Sequence, residues 1–151
     1  MPTKKARRPK FVKVSVAPVQ ERIAFFVGGV RTVTTNAMRK GTRYQQAAWT
    51  RAWRETVRDK APPELTDHFP LPPSTVVFEP FYKNGRSLPD VGACAPSGKA
   101  VLDALVDLGA WPDDTPEWVT MIYYRAPVVN ESVGDGLKVV LRTFKSDYFY
   151  V

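Results

Sequence analysis

The stretch that decides the fold is KAVLDALVDLGAWPDD, residues 99–114. Its apolar residues recur every three or four positions up to Leu108, which predicts an amphipathic helix with Val101, Leu102, Leu105 and Leu108 facing the core. We expect Ser97 to be the N-terminal cap. We expect Gly109 to end the helix, because glycine readily adopts the left-handed conformation that closes a helix.

Two adjacent carboxylates, Asp113 and Asp114, follow this helix on a turn. Their mutual repulsion is relieved where a cation lies between them or where solvent screens them. In a basic protein this favours a divalent metal first, and then a substrate that brings its own phosphates. Lys99 and Asp103 are four positions apart and share a helix face, where they would form at least a surface ion pair.

A further carboxylate, Asp90, precedes the helix, so the path from Asp90 to Asp114 brings acidic groups from both ends toward one place. The predicted metal ligands are therefore Asp90, Asp103, Asp113 and Asp114. Mg²⁺ suits such a set because it prefers hard oxygen ligands and keeps several waters, and Mn²⁺ is expected to substitute. Lys99 would offset negative charge on a phosphodiester transition state or protonate the leaving oxygen.

Charge is divided unevenly along the chain. Residues 1–58 hold 14 Lys or Arg against two acidic residues, a balance of +12, whereas residues 59–151 balance at −5. One half is therefore suited to hold a polyanion and the other to supply carboxylates for a metal. A basic tail with ordinary solvated charges would give the same totals, so the asymmetry alone does not decide between the two interpretations.

The chain has 151 residues, 44% of them hydrophobic, which is enough for one domain with a buried core. We expect a basic disordered arm at residues 1–10 and a single domain over residues 11–151. No apolar run approaches the length of a membrane span, and no signal peptide is recognisable at the N-terminus. The lone cysteine, Cys94, excludes an internal disulfide and favours a cytoplasmic protein.

Outside residues 99–114 the sequence predicts one more long helix and several strands. Residues 42–60 form the helix, whose apolar stripe comprises Ala48, Trp49, Ala52, Trp53, Thr56 and Val57. Alternating or β-branched patterns predict strands at residues 11–19, 23–27, 75–81, 118–124 and 137–143. Together these elements predict an α+β fold, with a mostly antiparallel or mixed sheet and two main helices packed on one face.

Basic residues outside the predicted metal site are candidates for binding DNA phosphates. They fall in the arm, on one face of the helix over residues 42–60 and in a turn: Lys4, Lys5, Arg7 and Arg8, then Arg51, Arg54 and Arg58 with Arg43 nearby, then Lys83 and Arg86. Most helices carry solvated charges, so the helical arginines favour nucleic acid only if the metal site exists.

The motif helix resembles that of the RusA-type Holliday-junction resolvases, a family common in phages and prophages. Its characteristic run is Asp-x-Asp-Asn, a Lys three residues later, an Asp four after that followed by x-Leu, and then Gly-x-x-x-Asp-Asp. Here Lys99, the run Asp103-Ala-Leu105, and the run from Gly109 to Asp113-Asp114 match in type and spacing. The resemblance covers residues 88–119, and the order of elements supports it elsewhere.

The resemblance implies a small α+β homodimer that cleaves four-way DNA junctions with Mg²⁺, in a bacterial or phage-infected cell. It implies that Asp114 is a metal-binding acid with Asp113 as its neighbour and that Lys99 is the catalytic lysine. The positions of the Asp-x-Asp-Asn are occupied here by Ala-Cys-Ala-Pro, residues 93–96. Asp90 takes one acidic role if three residues are inserted before the helix.

Three hypotheses therefore remain open from the sequence. The first is an Mg²⁺-dependent endonuclease acting on Holliday junctions in recombination, repair or phage replication. The second is a RusA-like protein that binds structured DNA as an accessory factor without cleaving it. In the third, the arm serves solubility or another acidic partner, and the paired aspartates simply form a turn.

Overall fold

The computed structural model describes residues 10–12 and 22–143 of the chain. In chain order the elements are β1 (Lys10–Val12), β2 (Arg22–Gly28), α1 (Thr35–Lys40), α2 (Arg43–Lys60), α3 (Pro63–Thr66), β3 (Ser74–Tyr82), α4 (Ala95–Asp107), β4 (Val119–Tyr124), β5 (Val128–Val129) and β6 (Gly136–Thr143). This mixture of helices and strands confirms the predicted α+β class.

The strands form one mixed sheet in the order β1-β2-β6-β3-β4, and β5 also pairs with β3. Strand β3 runs antiparallel to β6 and parallel to β4 and β5, whereas β2 runs antiparallel to both β1 and β6. Since parallel neighbours need a crossover, the chain leaves β3, passes through α4 and returns as β4. The motif helix is therefore the crossover of a βαβ unit.

The two long helices, α2 and α4, pack against one face of this sheet. Alternate side chains of the central strands, such as Phe25, Phe78 and Val139, join the same core as Trp53 of α2 and Leu105 of α4. Alternation follows from the pleat, which sends successive side chains to opposite faces. The prediction of two main helices on one face is thereby confirmed.

Three details of the sequence prediction are wrong within the described residues. Lys10 belongs to β1 and not to the arm, and Ala48 is exposed and not part of the apolar stripe. No helix was predicted at residues 35–40, where the structure has the six-residue helix α1. Ser97 lies inside α4, which begins at Ala95, and is not its cap.

Some predictions concern residues that the structure does not describe. The basic arm at residues 1–9 and most of the first predicted strand, residues 13–19, lie outside the described residues. None of the described helices is both long enough and apolar enough to cross a membrane.

Candidate functional site

The first turn of α4 lies close against the sheet because its residues are small. A Cβ atom added at Gly98 would lie 3.0–3.2 Å from ring atoms of Phe78 on β3, so only glycine allows this approach without a shift. The neighbouring Ser97 is 1% exposed, and its hydroxyl oxygen accepts a 2.8 Å hydrogen bond from the backbone N–H of Val33. This contact fixes the position from which Lys99 projects.

The end of α4 returns the chain toward its own first turns. Gly109 adopts a φ of +89°, the left-handed conformation, and the backbone N–H of Ala110 bonds to the carbonyl of Leu105, so the helix closes as predicted. Trp111 is then buried at 1% exposure, and its indole N–H points to the hydroxyl of Ser74 at 3.3 Å. Anchored in this way, the turn carries the following aspartates back alongside the helix.

The ammonium group of Lys99 lies between two carboxylates. Its Nζ donates a 3.0 Å hydrogen bond to Oδ1 of Asp103 and a second hydrogen bond to Oδ2 of Asp114. Lys99 is 58% exposed at its side chain, whereas Asp103 and Asp114 are 29% and 22% exposed. The structure therefore brings together three of the five residues that the sequence predicted for the catalytic or metal site.

The pKa values of the pair reflect this contact. The hydrogen bond to Asp114 raises the pKa of Lys99, against a smaller opposing effect of burial. The same hydrogen bond lowers the pKa of Asp114. Near neutral pH the lysine is consequently a cation and a potential proton donor, and the aspartate is an anion.

The remaining two predicted acids have different surroundings. Asp113 accepts a 2.8 Å hydrogen bond from the backbone N–H of Asp114, so its carboxylate shapes the turn that presents its neighbour. Asp90 is exposed in the loop before α4, and its backbone carbonyl accepts a bond from the N–H of Ala93. Across residues 22–143 no group of three or more His, Cys, Asp or Glu side chains is arranged to hold a metal ion.

The chemistry of the donor set nevertheless fits a hard divalent cation. Asp103 and Asp114 both direct an oxygen at one point, which the Lys99 ammonium occupies. Two carboxylates with water are sufficient for Mg²⁺, which retains much of its hydration shell. Asp103 and Asp114 would be the pair to hold the ion, once the Lys99 ammonium moves from between them.

A second ion pair joins the two long helices. Arg54 of α2 donates from Nε to Oδ2 of Asp107 at 2.7 Å and from Nη2 to Oδ1 at 2.8 Å. This two-point contact raises the pKa of Arg54 and lowers that of Asp107. Because Lys99, Asp103 and Asp107 recur every four residues, they share one face of α4, and this face connects Lys99 to Arg54.

The outer face of α2 forms a concave basic groove of about 680 Å³. We call it the arginine groove; its lining is Met38 of α1 with Arg43, Gln46, Ala47, Thr50, Arg51, Arg54, Glu55 and Arg58 of α2. Gln46 donates a 2.7 Å hydrogen bond to the carbonyl of Met38 and so ties α1 to α2 at the edge of the groove. The three helical arginines predicted to contact DNA therefore share one surface with Arg43.

The other predicted DNA-binding residues lie elsewhere. Lys83 and Arg86 are exposed in the turn after β3, where their backbone N–H groups donate to Oδ1 of Asp135 and of Asn84. Lys4, Lys5, Arg7 and Arg8 are outside the described residues.

Sequence reasoning missed the role of Asp107, which pairs with an arginine 53 positions away. No local pattern indicates such a contact, because it depends on how α2 packs against α4. Spacing alone did indicate a shared face for Lys99 and Asp103.

Comparison of the chain with models of known protein families and with curated proteins gave no match.

Proposed function

We propose that this protein is an Mg²⁺-dependent endonuclease that cleaves branched DNA, with Holliday junctions formed in recombination, repair or phage replication as the substrate. One observation carries the proposal. The Lys99 ammonium lies between the carboxylates of Asp103 and Asp114, on the same helix face that meets Arg54 of the arginine groove. A lysine, paired acids and a basic surface form a combination suited to phosphodiester cleavage.

The charges of the two surfaces support a role for a bound cation. Lys99 faces Asp103 and Asp114, and Asp113 adjoins them, so the acids outnumber the base in this cluster. A DNA phosphate held in the arginine groove would be repelled by these acids unless a cation offsets them. An acidic cluster beside the basic surface therefore favours cleavage with a bound cation over binding alone.

Each residue then has a distinct task. Asp103 and Asp114 are the carboxylates that would hold the metal, with Asp113 adjoining them and Asp90 as the further predicted acid. When bound, the ion supplies charge neutralisation at the phosphate and a more acidic attacking water. Lys99 donates hydrogen bonds or a proton toward the leaving oxygen, and Arg43, Arg51, Arg54 and Arg58 hold the DNA backbone.

We further propose that the protein works in the cytoplasm as a homodimer. Two symmetric cuts resolve a four-way junction, and a twofold dimer supplies both from one gene product. Light scattering coupled to size-exclusion chromatography tests the dimer directly, and a monomer at working concentration would contradict it.

The test is cleavage of a labelled four-way junction beside a linear duplex of the same arm sequence, in Mg²⁺, Mn²⁺ and EDTA. We expect paired nicks near the branch point only with metal. Lys99→Met and Asp114→Asn should each abolish cleavage, whereas Asp67→Asn, which removes an exposed carboxylate after α3, should leave it intact. Failure to cut junctions, flaps and forks over a range of pH would refute the proposal.

A second candidate is a RusA-like accessory protein that binds structured DNA without cutting it. The observation that favours it is the Ala-Cys-Ala-Pro run at residues 93–96, which leaves the start of α4 without a carboxylate. Tight junction binding in the wild-type protein, with no cleavage in any metal, would select this function.

A further inference from the structure

We propose that Asp107 is a positioning residue, which holds Arg54 so that the free edge of its guanidinium faces a DNA phosphate in the arginine groove. The inference rests on the proposed function only in taking DNA as the ligand of that groove. It adds a role for Asp107, which is not part of the predicted metal site.

The geometry of the pair carries the first step. Asp107 contacts the guanidinium through Nε and Nη2, at 2.7 and 2.8 Å, which is the side-on two-point arrangement. An arginine carries a fixed planar fork of donors, so a carboxylate on this side leaves the Nη1 donors directed elsewhere. The plane of the guanidinium is thereby set before any ligand arrives.

The location of the pair carries the second step. Arg54 lines the arginine groove, and Asp107 reaches it from α4 across the contact between the two helices. The Arg54 side chain remains 43% exposed and the Asp107 side chain 25% exposed, so the ion pair is partly open to solvent. A planar donor held in this way is suited to two-point binding of a phosphate.

Electrostatics alone predicts the opposite effect for Asp107. A carboxylate beside a phosphate-binding arginine adds repulsion, so its removal should strengthen DNA binding. A positioning role predicts weaker binding on removal, because Arg54 then loses its fixed orientation and must be ordered when the phosphate binds. The sign of the change therefore separates the two explanations.

Glu55 provides a matched control, because it also lines the groove and its replacement by glutamine changes the charge equally. We expect Glu55→Gln to tighten binding about twofold and Asp107→Asn to weaken it about threefold, which is well below the loss of a whole charged hydrogen bond, because Arg54 keeps its phosphate contact and loses only its fixed orientation. Binding is measured by fluorescence anisotropy with a labelled four-way junction in EDTA, at several salt concentrations.

A double variant excludes a purely structural explanation. With Arg54→Ala in place, Asp107→Asn has no arginine to release, so we expect it to tighten binding as Glu55→Gln does. Arg54→Ala alone should lower the slope of log affinity against log salt by about one. If Asp107→Asn weakens binding equally in both backgrounds, or tightens it in the wild type, the positioning role is wrong.

The inference and the proposed function fail in distinguishable ways. Junction binding without cleavage would contradict the endonuclease and still allow the Asp107 comparison. Cleavage together with tighter binding by Asp107→Asn would contradict only the positioning role. Absence of junction binding by the wild-type protein at low salt would overturn the inference.

Discussion

Replacement of Gly98 by alanine should destabilise this protein, although the same change in most helices is stabilising. At an unconstrained helical position the gain is about 1 kcal/mol, since glycine loses more backbone entropy on folding. Here the new methyl group would lie 3.0, 3.1 and 3.2 Å from three ring atoms of Phe78. Phe78 is fully buried, so the ring has little room to move aside.

The expected net effect follows from these two opposing contributions. Overpacking of a buried position costs about 1–3 kcal/mol, which exceeds the helix gain. We therefore expect Gly98→Ala to lower the free energy of unfolding by about 1 kcal/mol, equivalent to a decrease of about 3 °C in Tm for a chain of this size. Urea denaturation followed by far-UV circular dichroism measures the change.

Phe78→Leu supplies the background in which the sign should reverse. Without the ring, a Cβ at position 98 loses its three nearest contacts, so we expect the helix gain of about 1 kcal/mol to outweigh the remaining crowding. The reasoning is refuted if Gly98→Ala stabilises the wild-type protein as much as it stabilises Phe78→Leu. That result would mean that α4 does not depend on close contact with β3 to place Lys99.

Three further predictions concern the same helix and its turn. Ser97→Ala should lower the free energy of unfolding by about 1–2 kcal/mol, because the backbone N–H of Val33 loses its buried acceptor. Hydrogen exchange at the Val33 amide should become faster, and an unchanged exchange rate there would contradict this. Gly109→Ala should lower the free energy of unfolding by about 1 kcal/mol from backbone strain alone, since its Cβ would meet nothing within 4 Å. Gly109→Asn should lower it less, and thermal melting measures both changes. Lys99→Met should lower the free energy of unfolding at neutral pH by only about 1 kcal/mol, because a partly exposed ion pair contributes little to stability. The pKa of Asp114 is lowered in the folded protein, so this pair stabilises above the unfolded value of about 3.9 and the stabilisation is lost as pH falls through the lowered pKa. The difference in stability between wild type and variant, measured by denaturation at each pH, should thus shrink in acid; a constant difference would exclude the ion pair as its cause.

The long helices were predictable because their signals are local. The apolar period of α2 and the Thr42–Gln45 capping box at its start are both contained within neighbouring residues. Gly109 likewise ends α4 through its own backbone conformation. Helix α1 has a local cap, because the Thr34 side chain accepts a hydrogen bond from the Ala37 N–H, but it lacks an apolar period, since it has six residues and buries none of them.

The errors in the prediction arise where a side chain contacts a residue far away in the sequence. Ser97 has the chemistry of an N-terminal cap, yet its hydroxyl bonds to the N–H of Val33, 64 positions away, and the helix begins two residues earlier. Arg54 was predicted to contact phosphate, and sequence spacing gave no indication of its contact with Asp107. The first contact depends on how the segment before α1 packs against α4, and the second on how α2 packs against α4. No local pattern reports either packing.

Residues 93–96 stand where the acidic run of the resolvases would lie, and no carboxylate is present there. The two aspartate positions of that run are held by Ala93 and Ala95, which are half-buried, and Cys94 between them is 1% exposed within the core. The backbone carbonyl of Ala93 accepts a hydrogen bond from the N–H of Thr35. Burial raises the pKa of the Cys94 thiol to about 11, because the charged form is disfavoured there. This segment anchors the start of α4, and the nearest exposed acid is Asp90, just before the turn. On the proposed function, Asp90 is the acid that would complete the set of Asp103, Asp113 and Asp114 from this side. Asp90→Asn should then reduce cleavage while leaving α4 and junction binding unchanged, and full cleavage by this variant would show that the three acids after Lys99 are sufficient.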